Sequence, residues 1–136
     1  VDEKYALETL ARRPVRVLVV DDDPVVVRAM QKLLDREGFA VISCHTAEAA
    51  LQKTHAGIAA AIVDIHLPNK SGLWLSQQLR AALGPKAPII ILSGDHSMDT
   101  IRSLPGAGAT YFFSKPVNIA QLVGKLKEWT GVGKLE

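Results

Sequence analysis

Ala61-Ile62-Val63-Asp64-Ile65-His66-Leu67-Pro68-Asn69-Lys70-Ser71-Gly72 runs from small and branched apolar residues into a carboxylate, then into a Pro/Asn/Ser/Gly turn. The apolar half reads as a fully buried strand bounded by turn residues. An aspartate just past a strand is commonly a helix cap or turn former. It can also be a nucleophile or a metal ligand held at the carboxyl end of a central strand. Which of these Asp64 is depends on what the other strands carry at the same end.

Working outward, Arg16-Val17-Leu18-Val19-Val20 is a short apolar strand that breaks into Asp21-Asp22-Asp23. Pro24 suits the first turn of a helix. Val26, Met30, Leu33 and Leu34 then recur at helical spacing, with Gly38 as the stop. Phe39 to Cys44 is a second strand, and Thr46 caps a short helix through about His55 that Gly57 ends. Beyond the opening stretch, Gly72 to Leu83 is a mostly apolar helix, with Leu73, Trp74, Leu75, Leu79 and Leu83, stopped by Gly84-Pro85. Pro88 to Ser93 is the most apolar strand. A short helix follows from His96 and must end by about Leu104, because Pro105-Gly106 cannot continue it. Ala109 to Ser114 is the fifth strand, running into Lys115-Pro116. Asn118 caps a last helix whose Ile119, Leu122, Val123, Leu126 and Trp129 form one apolar face.

Five apolar strands alternating with five helices predict a parallel sheet covered on both faces. Right-handed crossovers then favour a flavodoxin-like (βα)5 three-layer sandwich with strand order 2-1-3-4-5. Ligands of such sheets sit at the carboxyl ends of the strands, near the switch point between strands 1 and 3.

The 136 residues suffice for one domain, and 48% apolar with 22% charged is ordinary for a globular chain. A net charge of +2, with basic residues scattered and no aromatic interleaving, argues against direct nucleic-acid binding. No apolar run approaches the ~20 residues of a membrane span, and no signal peptide is evident. Cys44 is the only cysteine, which excludes an intramolecular disulfide and fits a reducing, cytoplasmic compartment. Residues 1–14 read as an N-terminal linker or helical extension, 15–130 as the domain, and 131–136 as a C-terminal tail or vector-derived scar. A start at Val1 rather than Met raises the expectation of a piece excised from a longer protein.

The strand ends carry Asp21 to Asp23, Asp64, Ser93 and Lys115. Each has a commonplace role. Asp23 before Pro24 is a natural N-cap, Ser93 a buried strand hydroxyl and Lys115 a solvated charge. Together at one rim they mean more. Crowded carboxylates raise the proton affinity of at least one unless a cation intervenes. Oxygen-only ligands point to a hard ion, and Mg²⁺ is held by one or two carboxylates plus water and a phosphate. Ser93 can donate to a phosphoryl oxygen and Lys115 supplies a point charge. These are the parts for phosphoryl transfer to an aspartate.

Val17-Leu18-Val19-Val20-Asp21-Asp22-Asp23-Pro24, Asp64-Ile65-His66-Leu67-Pro68 with Gly72, Ser93-Gly94 and Ser114-Lys115-Pro116 resemble the response-regulator receiver domain of two-component signalling. The resemblance spans residues 15–130 in order and spacing. It implies that Asp64 is the phosphoacceptor and that Asp22, Asp64 and the backbone carbonyl of His66 ligate Mg²⁺, with Asp21 acting through water. It also implies that Ser93 and Lys115 hold the phosphoryl group, that the peptide before Pro116 is cis, and that Phe112 is the aromatic switch. The implied partner is a sensor histidine kinase or a histidine phosphotransfer protein. Output passes through the face of the fourth helix, fifth strand and fifth helix, which leaves a homodimer through that face open. Such a chain is a signalling domain rather than an enzyme, catalysing only its own phosphorylation and dephosphorylation.

Several positions depart from the usual pattern. Ser93 replaces the commoner Thr, keeping the hydroxyl but loosening its packing. His66 and Asp95 are the candidates for tuning hydrolysis, and Pro105-Gly106 should shorten the fourth helix. Histidines 45, 55 and 96 read as ordinary surface residues. One alternative from another class is a Mg²⁺-dependent phosphohydrolase of the haloacid-dehalogenase type using Asp21, since Asp21-Asp22-Asp23-Pro24-Val25 fits Asp-x-Asp-x-Val. That family needs a late acidic pair, where this chain has Ser93-Gly94-Asp95, and no cap-sized insertion is present. A degenerate, binding-only receiver is disfavoured because every phosphorylation residue is present.

Overall fold

The computed structural model describes residues 15–95 and 97–132. The expectations for residues 1–14, for 133–136 of the tail and for His96 lie outside the described residues. In chain order the elements are β1 (Val15–Val20), α1 (Pro24–Arg36), β2 (Phe39–Cys44), α2 (Ala47–Leu51) and β3 (Ile58–Asp64). They continue with α3 (Gly72–Leu83), β4 (Ile89–Ser93), α4 (Met98–Ser103), β5 (Tyr111–Ser114) and α5 (Ile119–Thr130). All neighbouring strands are parallel, in the order β2-β1-β3-β4-β5.

Alternation along the strands sorts the core into two halves. Val17 and Val19, Ala60 and Ile62, Ile90 and Leu92, and Phe113 pack with Met30 and Leu34 of α1 and with Leu122, Val123 and Leu126 of α5. Leu18 and Val20, Ala61 and Val63, and Ile89 and Ile91 pack on the other face with Ala47 and Ala50 of α2 and Leu75 and Leu79 of α3. The sandwich is therefore three-layered, as the apolar strands require. Helix α4 buries none of its six residues.

Every helix begins at a side-chain cap: Asp23, Thr46, Ser71, Ser97 and Asn118 each accept a backbone N–H of the first turn. Asp23 is thus the cap its place before Pro24 suggests. Several details differ from the sequence reading. On α1, Val27 rather than Val26 is buried with Met30 and Leu34, because i−3 from Met30 lies on the core stripe. Leu33 is only partly buried. Helix α2 stops at Leu51 rather than near His55. Gln52, Lys53 and His55 are exposed, and the chain tightens into i→i+3 bonds such as Lys53 N–H to Ala50 O. Strand β5 starts at Tyr111 rather than Ala109, since the Ala109 N–H turns back to Leu104 O and the Gly108 carbonyl is held by Arg80 of α3, with Thr110 the first residue bonded to β4. Helix α4 begins at Met98, two residues after His96.

Candidate functional site: an acidic pocket at the carboxyl ends of the strands

Register brings the strand ends together. Val20 pairs with Val63, so the next residues, Asp21 and Asp64, emerge side by side. Ser93 pairs with Ser114, so Lys115 follows one step beyond, and Asp64 pairs with Leu92 beside Ser93. Asp21, Asp64 and Lys115 continue the alternation of the α1/α5 face, which aims all three into one pocket.

Within that pocket Lys115 Nζ lies 3.1 Å from Asp64 Oδ2 and 3.3 Å from Asp21 Oδ2. Asp64 is 5% exposed and Asp21 2%, whereas Asp22 is exposed at the rim. The remaining carboxylate oxygens are fixed by backbone N–H groups: Asp23 N–H donates to Asp21 Oδ1 at 2.9 Å, and His66 N–H to Asp64 Oδ1 at 3.1 Å. Burial pushes the Asp21 carboxyl above the usual carboxylate range; the charge of Asp64 adds to this, while the Asp23 N–H and Lys115 oppose it. Burial alone would lower Lys115, but its hydrogen bond to Asp64 and the charges of Asp21 and Asp64 hold it above its ordinary value.

Gly72 lets the β3–α3 turn close against the acceptor strand. Its N–H donates to Ile65 O at 2.8 Å. A Cβ there would stand 2.7 Å from Ile65 Cα and closer still to the Asp64 carbonyl oxygen, so only glycine fits without moving backbone.

The pocket joins Asp21, Asp22, Asp64 and Lys115. Ser93 is fully buried beside it, and its hydroxyl is engaged with Asp95, accepting the Asp95 N–H at 2.8 Å and donating to Asp95 O at 3.3 Å. The Asp95 carboxylate turns toward α4, accepting from Ser97 N–H and Thr100 Oγ1, each at 2.8 Å. These bonds, Ser97 first, hold Asp95 below its ordinary range. The His66 side chain is exposed. Phe112 is partly buried, packed against the α2/α3 half of the core. The peptide between Lys115 and Pro116 is cis.

Sequence reasoning passed over His45. It is exposed, as an ordinary surface histidine would be, yet its Nδ1 lies 3.0 Å from the Asp21 carbonyl oxygen and braces the end of β1. The position directly after β2, the neighbour of β1, was the available signal.

One oxygen each from Asp21, Asp22 and Asp64 lie within 4.8 Å of one another. Two are buried and one is open to solvent. An oxygen-only set with an open side suits a hard divalent cation that keeps waters, such as Mg²⁺, and does not suit a thiophilic metal. The residues present fit such an ion.

A doubly wound parallel sheet with a buried aspartate pair and a bridging lysine at its carboxyl edge defines an α/β domain whose candidate site lies where such sheets bind ligands. Residues 17–127 match the family model described as the response regulator receiver domain. The sensory/regulatory protein RpfC of Xanthomonas campestris is 36% identical over 120 residues, covering 85% of this chain and 16% of that protein. A receiver-domain protein (CheY-like) from Methanospirillum hungatei superposes with a TM-score of 0.80 at 30% identity, covering 90% of this chain and 99% of the other. A response regulator from Burkholderia pseudomallei, solved with a phosphorylated aspartic acid, calcium ion and citrate, has a TM-score of 0.74 at 30% identity. That match covers 84% of this chain and 71% of that one. The chain belongs to the response-regulator receiver family of two-component systems, whose members are signalling domains.

The hydrolase alternative is not supported. The family match covers both motifs it would use, and the Asp21 carboxylate is buried and bonded to Asp23 N–H and Lys115 rather than presented to a substrate. No helix among the described residues is long and apolar enough to cross a membrane.

Proposed function

We propose that this chain accepts a phosphoryl group from a phosphohistidine on a sensor histidine kinase or histidine phosphotransfer protein, with Asp64 as the acceptor. The carrying observation is the buried Asp64 carboxylate, fixed by His66 N–H on one oxygen and Lys115 on the other. In the step, Asp64 Oδ2 bonds to phosphorus as the donor's P–N bond breaks, and the histidine leaves with its electron pair. Asp22, Asp64 and the His66 carbonyl would hold Mg²⁺, with Asp21 acting through water; when bound, the ion would supply positive charge beside the transferring group. Lys115, freed from Asp64 Oδ2, pairs with the phosphoryl group, and Ser93 turns its hydroxyl from Asp95 to a phosphoryl oxygen. A phosphorylated aspartate in the Burkholderia relative supports this chemistry.

Phosphorylation then shifts an existing equilibrium, because only one arrangement of Ser93 and Lys115 satisfies the added charge. Phe112 reports that shift to the face of α4, β5 and α5, where Met98, Ile101 and Tyr111 are exposed. That face serves for output, including pairing with a second copy. His66 and Asp95 flank the phosphoryl position and set its lifetime. We place the domain in the cytoplasm, bound directly to neither nucleic acid nor membrane. The sequence spans 16% of RpfC, so the activity of any longer protein containing it is part of the proposal.

Incubation with Mg²⁺ and phosphoramidate, followed by intact-mass measurement, tests the reading. One phosphoryl group should be gained by the native chain and none by Asp64→Asn. An equal gain in both rules Asp64 out.

A further inference from the structure

The Arg80 guanidinium on α3 is spent entirely on backbone and hydroxyl oxygens. Its Nε and Nη2 donate to Gly108 O at 3.0 and 2.8 Å, and Nη2 also reaches Thr110 Oγ1 at 3.1 Å. Nη1 donates to Gly84 O and Ala87 O at 2.9 and 2.7 Å. Two more α3 side chains grip the same segment: Ser76 Oγ donates to Ala107 O at 2.6 Å and Gln77 Nε2 to Gly106 O at 3.3 Å. Thr110 Oγ1 in turn accepts from Ile89 N–H at 3.0 Å, linking the clamp to β4. Gly108 sits at φ +73°, and a Cβ there would stand 2.9 Å from Arg80 Cβ and Cγ, so the segment is moulded to this arginine.

The element just before the clamp is held very differently. Helix α4 buries no residue, and its N-terminal side is tied by the Asp95 bonds to Ser97 and Thr100 and by the Ser93–Asp95 bond. A hollow of about 420 Å³, lined by Ile101, Leu104, Ala109 and Phe112 among others, lies between α4 and β5. One end of α4 therefore hangs on a bond that Ser93 must break to reach a phosphoryl group. The other end is anchored by side chains of α3 that touch nothing in the acidic pocket.

We propose that Arg80 is a positioning residue that makes residues 106–110 a fixed pivot, so that the phosphorylation-dependent backbone rearrangement is confined to residues 94–104 and Phe112 turns only its side chain. This rests on the reading of Asp64 as acceptor, but the clamp itself does not. A guanidinium is suited to the task because its planar fork meets several acceptors at once with little further loss of freedom. Loosening it would let the backbone motion spread into β5, beneath the side chain of Phe112.

The test is hydrogen exchange on the full chain, with and without Mg²⁺ and beryllofluoride as a phosphoryl mimic. The amides of residues 107–109 donate to carbonyls of residues 103–105 and that of Thr110 to Ile89 O, so they report whether the segment gripped by α3 stays closed. In the native chain the mimic should change exchange in 94–104 and leave 107–110 unchanged. In Arg80→Met, exchange at 107–110 should quicken about tenfold or more without the mimic, and the mimic's effect should extend to them. Arg80→Lys, which keeps the charge but not the fork, should fall between. Amides of Val19 and Ile62 serve as the folding control. Equal mimic-induced changes in 94–104 and 107–110 of the native chain would overturn the proposal. So would unchanged 107–110 exchange in a folded Arg80→Met. If the native chain responds nowhere and gains no phosphoryl mass, the acceptor reading and the confinement of motion fall together. The clamp then stands or falls on the mimic-free comparison.

Discussion

Lys115 Nζ lies 3.1 Å from Asp64 Oδ2, so the cation at the end of β5 rests on the carboxylate at the end of β3. The same ammonium reaches Asp21 at 3.3 Å, and one lysine thereby offsets the repulsion between two buried carboxylates. On the proposed reading, Lys115 occupies the place that a phosphoryl oxygen would claim.

Replacing Lys115 by Met should leave Asp21 and Asp64 facing each other unscreened. We expect a loss of about 1–2 kcal/mol at neutral pH without divalent ions. That is less than for a fully buried pair, because Lys115 is 32% exposed. Added Mg²⁺ should recover part of it. Urea titration of both proteins with and without the ion measures this, and equal stability without ions would contradict it.

Asp21 carries the opposite sign. Its folded proton affinity is raised, chiefly by burial, so its contribution to stability is fully present below the ordinary value of 3.8 and is lost as pH rises through the folded value. Ionised Asp21 therefore costs stability at pH 7 in the ion-free chain. Asp21→Asn should raise the urea midpoint at neutral pH, and the gain should shrink as pH falls toward 3.8 and below. A variant less stable at neutral pH, or a gain independent of pH, would count against the burial argument.

Asp22 separates ion binding from folding, because it is exposed while its two partners are buried. Asp22→Asn should change ion-free stability by no more than about 0.5 kcal/mol. Saturating Mg²⁺ should stabilise the native chain by about 2.7 kcal/mol at a hundredfold excess over Kd. That shift should be largely lost in the variant. Thermal melts with and without the ion decide it; an undiminished shift in Asp22→Asn would exclude Asp22 from the ligand set.

Gly72 and Gly94 form a matched pair of controls. Alanine at Gly72 must displace the backbone of Asp64 and Ile65, and should cost about 2 kcal/mol or more together with slower phosphorylation. Alanine at Gly94 meets nothing within 4 Å and should be nearly silent in stability. Comparable urea midpoints for the two variants would show that the turn does not fit as described.

Much of this architecture was readable in advance, for a physical reason. Strands buried on both faces must be continuously apolar, so runs such as Val17–Val20 and Ile89–Leu92 announce a parallel sheet, and its carboxyl edge gathers Asp21, Asp64 and Lys115. Helix caps were legible at Asp23, Thr46 and Asn118, where side-chain chemistry is local. What escaped was held by main-chain acceptors. The Arg80 clamp, the His45 brace and the late start of β5 depend on carbonyl oxygens of Gly108, Ala87 and Asp21, and no side-chain pattern records where a carbonyl will point. Val27 was missed because Val25, Val26 and Val27 are alike in hydropathy, and only packing decides that Val25 stays 73% exposed while Val27 is buried.

The central claim is that Asp64, and no other carboxylate of the pocket, takes the phosphoryl group in a reaction that needs a divalent ion. Peptide-level mass spectrometry after reaction with phosphoramidate tests it most directly, run with Mg²⁺ and again with the ion chelated. The account predicts phosphoryl on the peptide containing Asp64 in the first sample and almost none in the second. Phosphoryl on the peptide containing Asp21 and Asp22, or equal labelling without the ion, would contradict it.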